Sequence, residues 1–213
     1  MNRLKDIIHN LALISSKKCL TCNNINFDTN NLCFLCWNQL EFISNNCQNN
    51  LSVVKYNKIS EQIIHSLKYY DQHQYSVIMA KYIFLYLITY NISYDYIVAV
   101  PMARRKLIKQ KFNHSVLIAK EVAKLSNKTL LWNYLLKTAD TPSQTSLNSN
   151  QRKKNLKGKF ALNAKIKFDL KDKIILLIDD VLTTNSTLNE CKSTLNTVNI
   201  KDTVSITFAK TYL

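Results

Sequence analysis

The chain has 213 residues but only one glycine, Gly158, and two prolines. Glycine reaches left-handed backbone conformations without steric cost, so the usual glycine-marked turns are missing and sequence alone sets element boundaries loosely. Acidic residues are scarce too: 14 Asp and Glu stand against 29 Lys and Arg, a formal net charge of +15. No secretory leader is visible. Leu4, Ile7, Ile8, Leu11 and Ile14 recur at helical spacing over residues 1–16, but His9 and Asn10 interrupt any leader-like apolar core. The most apolar stretch, Val77 to Ile92, is short for a membrane span and contains Lys81, so it reads as a buried helix. No internal repeat is present. These absences point to a soluble, cytoplasmic protein without a transmembrane segment. Its 46% hydrophobic content suffices for one ordinary core beside a small module.

The positive charge is concentrated. Residues 101–170 carry 16 basic and 3 acidic side chains, which is +13 of the +15. Asn, Lys and Ile abound, as AT-rich codon usage favours, but such a bias acts along the whole chain and does not concentrate charge in one third of it. The segment is either a solvated lysine-rich surface or a site for polyanions: pyrophosphate, single-stranded nucleic acid, or both.

Four of the six cysteines are organised as Cys19-x-x-Cys22, ten residues, then Cys33-x-x-Cys36. Two such knuckles supply four thiolates to a tetrahedral zinc ion, and in a cytosolic chain metal binding outranks two disulfides. Four thiolates leave no open coordination position, so this Zn2+ is structural. Cys47 and Cys191 have no partner in the pattern and read as core or surface thiols.

The coarse organisation is an N-terminal helix over 1–16, a zinc-ribbon module and polar linker over 17–50, and an α/β domain over 51–213. Strands are expected near Val53–Tyr56, Tyr96–Val100, Thr129–Trp132, Phe160–Leu162 (an edge strand) and Thr203–Phe208. Helices are expected from Ile59 to about Tyr70, Gln74 to Tyr90, Ser115 to Leu125 and Leu188 to Asn196, with a polar loop from Lys137 to Gln151. Strands alternating with helices argue for a parallel sheet.

One stretch carries chemistry. Ile174 to Ile178 is an apolar run that leads into Asp179 and Asp180, then Thr183, Thr184, Asn185, Ser186 and Thr187. Such a run reads as a buried parallel strand, and ligands of open α/β sheets sit at the carboxyl ends of the strands. The two carboxylates suit sugar hydroxyls or a hydrated divalent cation. The hydroxyls and backbone N–H groups at the following helix start suit a phosphate. A second strand end, Val98 to Pro101, is followed by a cationic loop with Arg104, Arg105, Lys109 and Lys111, where paired guanidinium groups suit pyrophosphate.

The stretch Leu176 to Thr187 resembles the signature of type I phosphoribosyltransferases. That resemblance implies binding of phosphoribosyl pyrophosphate with Mg2+: Asp179 and Asp180 at the ribose hydroxyls, Thr183 to Thr187 at the 5-phosphate, and the cationic loop at the pyrophosphate. Such loops usually carry Gly where this chain has Asn185; Asn tolerates positive φ, so the turn is expected to survive.

From Cys19 onward the order of blocks is similar to the competence protein F family: the knuckles, Ser66–Tyr69, Val100–Met102, Phe112–His114, Gln144–Leu147, Arg152–Phe160 and the signature loop. That family shows Arg-Gly-Phe-Asn-Gln where this chain has Gln110-Lys111-Phe112-Asn113-His114. The resemblance implies a zinc ribbon before a phosphoribosyltransferase-like domain. It also implies a role in natural transformation, with single-stranded DNA and proteins of the DNA-uptake machinery as partners. The alternative is an active enzyme of the glycosyltransferase class that passes the 5-phosphoribosyl group to a nucleobase-like acceptor. No segment shows obvious base-reading chemistry, and no catalytic residue is assigned. Lys68 is either a ligand contact or a helix residue whose stem lies along the surface. Phe112, Trp132 and Phe160 are either core aromatics or stacking platforms.

Overall fold

The apolar run before the acid pair lies at the centre of a five-stranded sheet. The computed structural model describes residues 18–24, 31–44, 50–69, 73–138 and 158–212. Its strands are β1 (Asn50–Lys55), β2 (Tyr96–Ala99), β3 (Thr129–Leu130), β4 (Leu135–Lys137), β5 (Phe160–Leu162), β6 (Ile174–Leu182) and β7 (Asp202–Lys210). Its helices are α1 (Phe34–Asn38), α2 (Lys58–Tyr69), α3 (Gln74–Thr89), α4 (Arg104–Gln110), α5 (His114–Ser126) and α6 (Ser186–Leu195). The expected helix over 1–16, Cys47 and the segment 139–157, with Gln144 to Leu147, Arg152 and Asn155, fall outside the described residues.

The main sheet has the order β1-β7-β6-β2-β3, and every pairing in it is parallel. The fold is therefore the expected parallel α/β type. Side chains alternate between its two faces, as the pleat requires. Leu176 and Ile178 of β6, Ile97 and Ala99 of β2, and Ile206 and Phe208 of β7 enter one buried cluster with α2, α3 and α5. Ile175, Leu177 and Val98 point the other way, into a cluster with Leu188, Cys191 and Leu195 of α6. Residues buried on both faces explain the continuous apolar run of β6. Cys191 is thus a core thiol. α3 is buried almost all round, as its composition requires. No helix among the described residues is long and apolar enough to cross a membrane.

Three expectations change. The cationic loop after Pro101 contains a short helix, α4; Ala103 is its extended N-cap, and Arg, Lys, Leu and Gln are good helix formers. Phe160–Leu162 is an edge strand as expected, but of a separate two-stranded sheet, antiparallel to β4, a strand the sequence reading did not place. Such a three-residue strand carries too few alternations to be read. Finally, β6 extends past the acid pair to Leu182, with Asp179 opposite Thr207 and Val181 opposite Ala209.

Asparagine largely replaces the missing glycine. Asn23, Asn31, Asn91 and Asn127 all have positive φ, between 50° and 61°, as does Asp172 at 58°. Gly158 itself has φ 70°. Asn185 does not: its φ is −65°, so the glycine position of the signature loop makes no left-handed demand here. The demand falls instead on Lys111, with φ 61° and ψ −32°, outside the left-handed basin that a side chain tolerates best. Lys111 stands where the resembled Arg-Gly-Phe-Asn-Gln pattern has glycine. Lys111→Gly is expected to raise the unfolding free energy by about 1 kcal/mol in a urea titration, the relief of strain exceeding the entropy cost of glycine. An unchanged or lower midpoint contradicts this.

Candidate functional site

The acid pair sits where β6 runs on past the end of β2 while still paired with β7, and the end of β2 organises it. Asn113 caps α5, its Oδ1 accepting from Ser115 N at 3.1 Å. The same side chain donates from Nδ2 to the Val100 carbonyl at 3.0 Å, tying the helix start to the end of β2. A cap of this kind contributes about 1 kcal/mol. It delivers Ser115, whose Oγ donates to Asp179 Oδ1 at 2.7 Å, and His114, which is buried in the first turn and whose charge acts on Asp180. From the other side, Lys68 in the last turn of α2 reaches Asp180 Oδ2 at 2.5 Å, with the two side chains 23% and 15% exposed. Each carboxylate also accepts a local backbone N–H, Asp180 N to Asp179 Oδ1 at 3.0 Å and Val181 N to Asp180 Oδ1 at 2.7 Å.

These partners split the two neighbouring acids. Burial, reinforced by the Asp180 charge, raises the Asp179 pKa to about 7 against the Ser115 hydrogen bond. Burial also pushes Asp180 up, but Lys68, then His114, more than offset it and hold Asp180 below the ordinary carboxylate range. One acid is thus a firm carboxylate with a built-in counter-ion. The other is poised to take or release a proton near neutrality.

Immediately beyond, the hydroxyl run forms the turn into α6. Thr183 and Asn185 are exposed, Thr184 and Thr187 are half-buried, and Ser186 is buried as the first residue of the helix. Thr184 Oγ1 lies 3.4 Å from Ser186 Oγ. The first turn of α6 holds no acidic residue, so its backbone N–H groups and dipole favour an anion. Asn185 Oδ1 turns away to accept from Asn50 Nδ2 at 2.9 Å, and Thr211 N holds the Leu182 carbonyl at 3.0 Å. Asn185 therefore anchors the turn to β1.

Arg104, Arg105 and Lys109 are exposed on α4, and Lys111 is exposed at its C-cap. Because β2 and β6 are parallel neighbours, α4 starts at the same end of the sheet as the acid pair. Exposure of Leu107, Ile108 and Phe112 makes this surface apolar as well as cationic. Of the other aromatics, Phe160 is buried in the core while Trp132 is 59% exposed. Ser115 was not foreseen as a site residue, and no local pattern marks it: it meets Asp179 across 64 residues of sequence.

The four thiols form a second centre. The sulfurs of Cys19, Cys22, Cys33 and Cys36 all lie within 4.8 Å of one another, and Cys22 Sγ is 3.6 Å from Cys33 Sγ. Tetrahedral zinc–thiolate coordination needs sulfurs roughly 3.8 Å apart, so the set fits a structural Zn2+ and is too open for a disulfide. Burial pushes Cys36 up to about 12. It pushes Cys19 up too, but the backbone N–H of Cys22 and the Thr21 hydroxyl hold that thiol down at about 6, already suited to ligation. The centre is joined to the main core: Cys19, Cys36, Trp37, Leu40 and Phe42 share the cluster of Tyr82 and Phe208. Trp37 lies 5.2 Å from Phe42 and 5.6 Å from Tyr82 between ring centroids.

No protein-family model matches the chain. It is similar to "Competence protein F" of Haemophilus influenzae, 28% identical over 106 residues, which is 50% of this chain and 46% of that protein. The match thus spans about half the length of this curated relative. Among solved structures, adenine phosphoribosyltransferase from Thermoanaerobacter pseudethanolicus is 15% identical, covering 68% of this chain and 82% of that one, with a TM-score of 0.38. Hypoxanthine-guanine phosphoribosyltransferase from Leishmania donovani is 11% identical, covering 71% and 67%, with a TM-score of 0.34. UMP synthase from Leishmania donovani is 12% identical, covering 68% and 23%, with a TM-score of 0.36. Overlap at this level assigns no role to any residue.

Proposed function

We propose that this protein is a competence-protein-F-like DNA-uptake factor of the cytoplasm that binds phosphoribosyl pyrophosphate. The observation that carries the reading is the continuity of Asp179–Asp180 with an acid-free, hydroxyl-lined helix start, at the carboxyl end of the central strand of a parallel sheet. That juxtaposition suits a sugar joined to a phosphate. Asp179 and Asp180 take the ribose hydroxyls, Thr183 to Thr187 the 5-phosphate, and Arg104 and Arg105 the pyrophosphate. Asp179 and Asp180 would also serve a Mg2+ ion carried with the ligand, which would offset the charge of its phosphates. The knuckle module and linker (17–50) serve as a zinc-bearing support for the binding domain (51–213). Direct titration with Mg2+ and phosphoribosyl pyrophosphate tests the site, with the Asp179→Asn/Asp180→Asn chain as control.

Single-stranded DNA is the proposed macromolecular partner, held by the exposed cations of α4 with Phe112 beside them. Binding by such a surface releases counter-ions, so affinity falls steeply with salt. Charge reversal at Arg104, Lys109 and Lys111 is expected to lower the slope of log affinity against log salt by about 2 for a single strand. A slope equal to that of the native chain places the contact elsewhere. Catalytic transfer to an acceptor is the second reading, favoured by the poised Asp179, and turnover across free nucleobases with the Mg2+-bound ligand distinguishes it from binding alone.

A further inference from the structure

We propose that α2 is a strut that links the four-thiol centre to the acid pair, so that the state of the thiols sets ligand affinity through Lys68. The inference rests on the phosphoribosyl-ligand reading of the acid pair. Asn57 caps α2 with Oδ1 toward the backbone N–H of Ser60 at 3.1 Å, while its Nδ2 donates to the Gln39 carbonyl at 2.7 Å. One side chain thus fixes both the helix start and the exit of the cysteine module. One turn on, Gln62 Nε2 donates to the Thr21 carbonyl at 2.6 Å. Thr21 lies inside the first knuckle, between Cys19 and Cys22, and its hydroxyl is 3.2 Å from Cys19 Sγ. Tyr75 Oη donates to the carbonyl of Leu20, in the same knuckle, from the start of α3.

The far end of α2 holds the other centre. Gln62 and Lys68 are six residues apart, about 9 Å along a helix. Between them Ile63, Ile64 and Leu67 are buried in the common core, so the helix moves as a body. Lys68 ends in the ion pair with Asp180. The knuckle carbonyls accept from Gln62 and Tyr75 while the knuckle keeps its turn, which backbone hydrogen bonds close (Asn23 N to the Cys19 carbonyl at 2.9 Å, Cys19 N to the Asn24 carbonyl at 2.8 Å) and which a zinc ion on the four thiolates would brace. Opening the turn removes the Gln62 contact that seats α2 on the knuckle, so the helix shifts as one body and Lys68 shifts with it. Asp180 then loses the counter-ion seated on its Oδ2. Lys68 is a positioning residue in this scheme.

The test uses the full chain, zinc-loaded or chelator-treated, well below its melting temperature, titrated calorimetrically with Mg2+ and phosphoribosyl pyrophosphate. Chelation is expected to weaken binding about tenfold in the native chain, within the usual range of coupling between sites. Lys68→Met is expected to bind about tenfold more weakly with zinc present and to show no further loss on chelation, while Lys68→Arg restores most of the affinity. Gln62→Ala is expected to keep zinc and lose most of the chelation effect. Reciprocity supplies a readout that survives if the chelated chain unfolds: saturating ligand should reduce zinc loss to a chromophoric chelator about tenfold in the native chain, not in Lys68→Met. Equal ligand effects on zinc loss in both chains, or none in the native chain, overturn the strut. No binding by the zinc-loaded native chain is a different failure: it removes the ligand reading itself.

Discussion

Trp37→Ala is expected to lower the melting temperature of the whole protein, not of a detached module. The Trp37 ring is 6% exposed and lies between Phe42 and Tyr82, and Tyr82 stacks 6.3 Å from Phe208 of β7. The cavity left by a buried tryptophan costs about 3–5 kcal/mol, against a total stability of about 5–15 kcal/mol for an ordinary domain. For a chain of this length the shift is about 10 °C. Removing metal from the thiols should lower the same transition, because Cys19 and Cys36 belong to the same buried cluster. Near-ultraviolet and far-ultraviolet circular dichroism should melt together in both cases. Two separate transitions, with the main one unmoved, contradict a shared core.

Asp179→Asn and Asp180→Asn should change stability in opposite directions at pH 8. An acid whose folded pKa lies above its unfolded value makes the folded state bind more protons, so stability falls as pH rises between the two values. Asp179, raised to about 7 by burial and by Asp180, costs stability at pH 8 and little near pH 4. Asn at 179 keeps a hydrogen-bonding partner for Ser115 and sheds the charge, for an expected gain of roughly 2–4 kcal/mol at pH 8. Asp180 is lowered, so it contributes stability above its unfolded pKa that is lost as pH falls through the folded value. Asn at 180 strands Lys68 half-buried and should destabilise by about 3 kcal/mol at pH 8. Urea unfolding at pH 5 and pH 8, without magnesium, reads both. Shifts of the same sign at pH 8 refute the assigned environments. A native Asp that costs stability is what a site retained for binding is expected to contain.

Much of this was legible in order along the chain. The β6 run, the acids after it, the hydroxyl turn and the paired knuckles are local patterns with a period or a spacing. Helices α2, α3 and α5 announced themselves in the same way, within a residue or two at their ends. What the pattern hides is pairing at a distance. Ser115 meets Asp179, and Lys68 meets Asp180, only because β2 and β6 are neighbours and α2 ends beside them. Scarcity of glycine hid the turns: left-handed φ fell on asparagines, and at Lys111, where no side-chain preference signals it. The expectation that position 185 bears that strain came from a glycine in the resembled motif, whereas the backbone there is right-handed. α4 was missed as a helix because it buries no residue and so shows no apolar stripe.

Asp179–Thr187 is the proposed binding site for a phosphorylated ribose. Isothermal titration of the zinc-loaded chain with Mg2+ and phosphoribosyl pyrophosphate, beside Asp179→Asn/Asp180→Asn, tests it most directly. Saturable one-to-one binding is expected of the native chain, with a loss of at least about a hundredfold in the double variant, because two charge-assisted hydrogen-bond acceptors are removed. Equal affinity in the two chains, or no heat of binding in the native one, would contradict it.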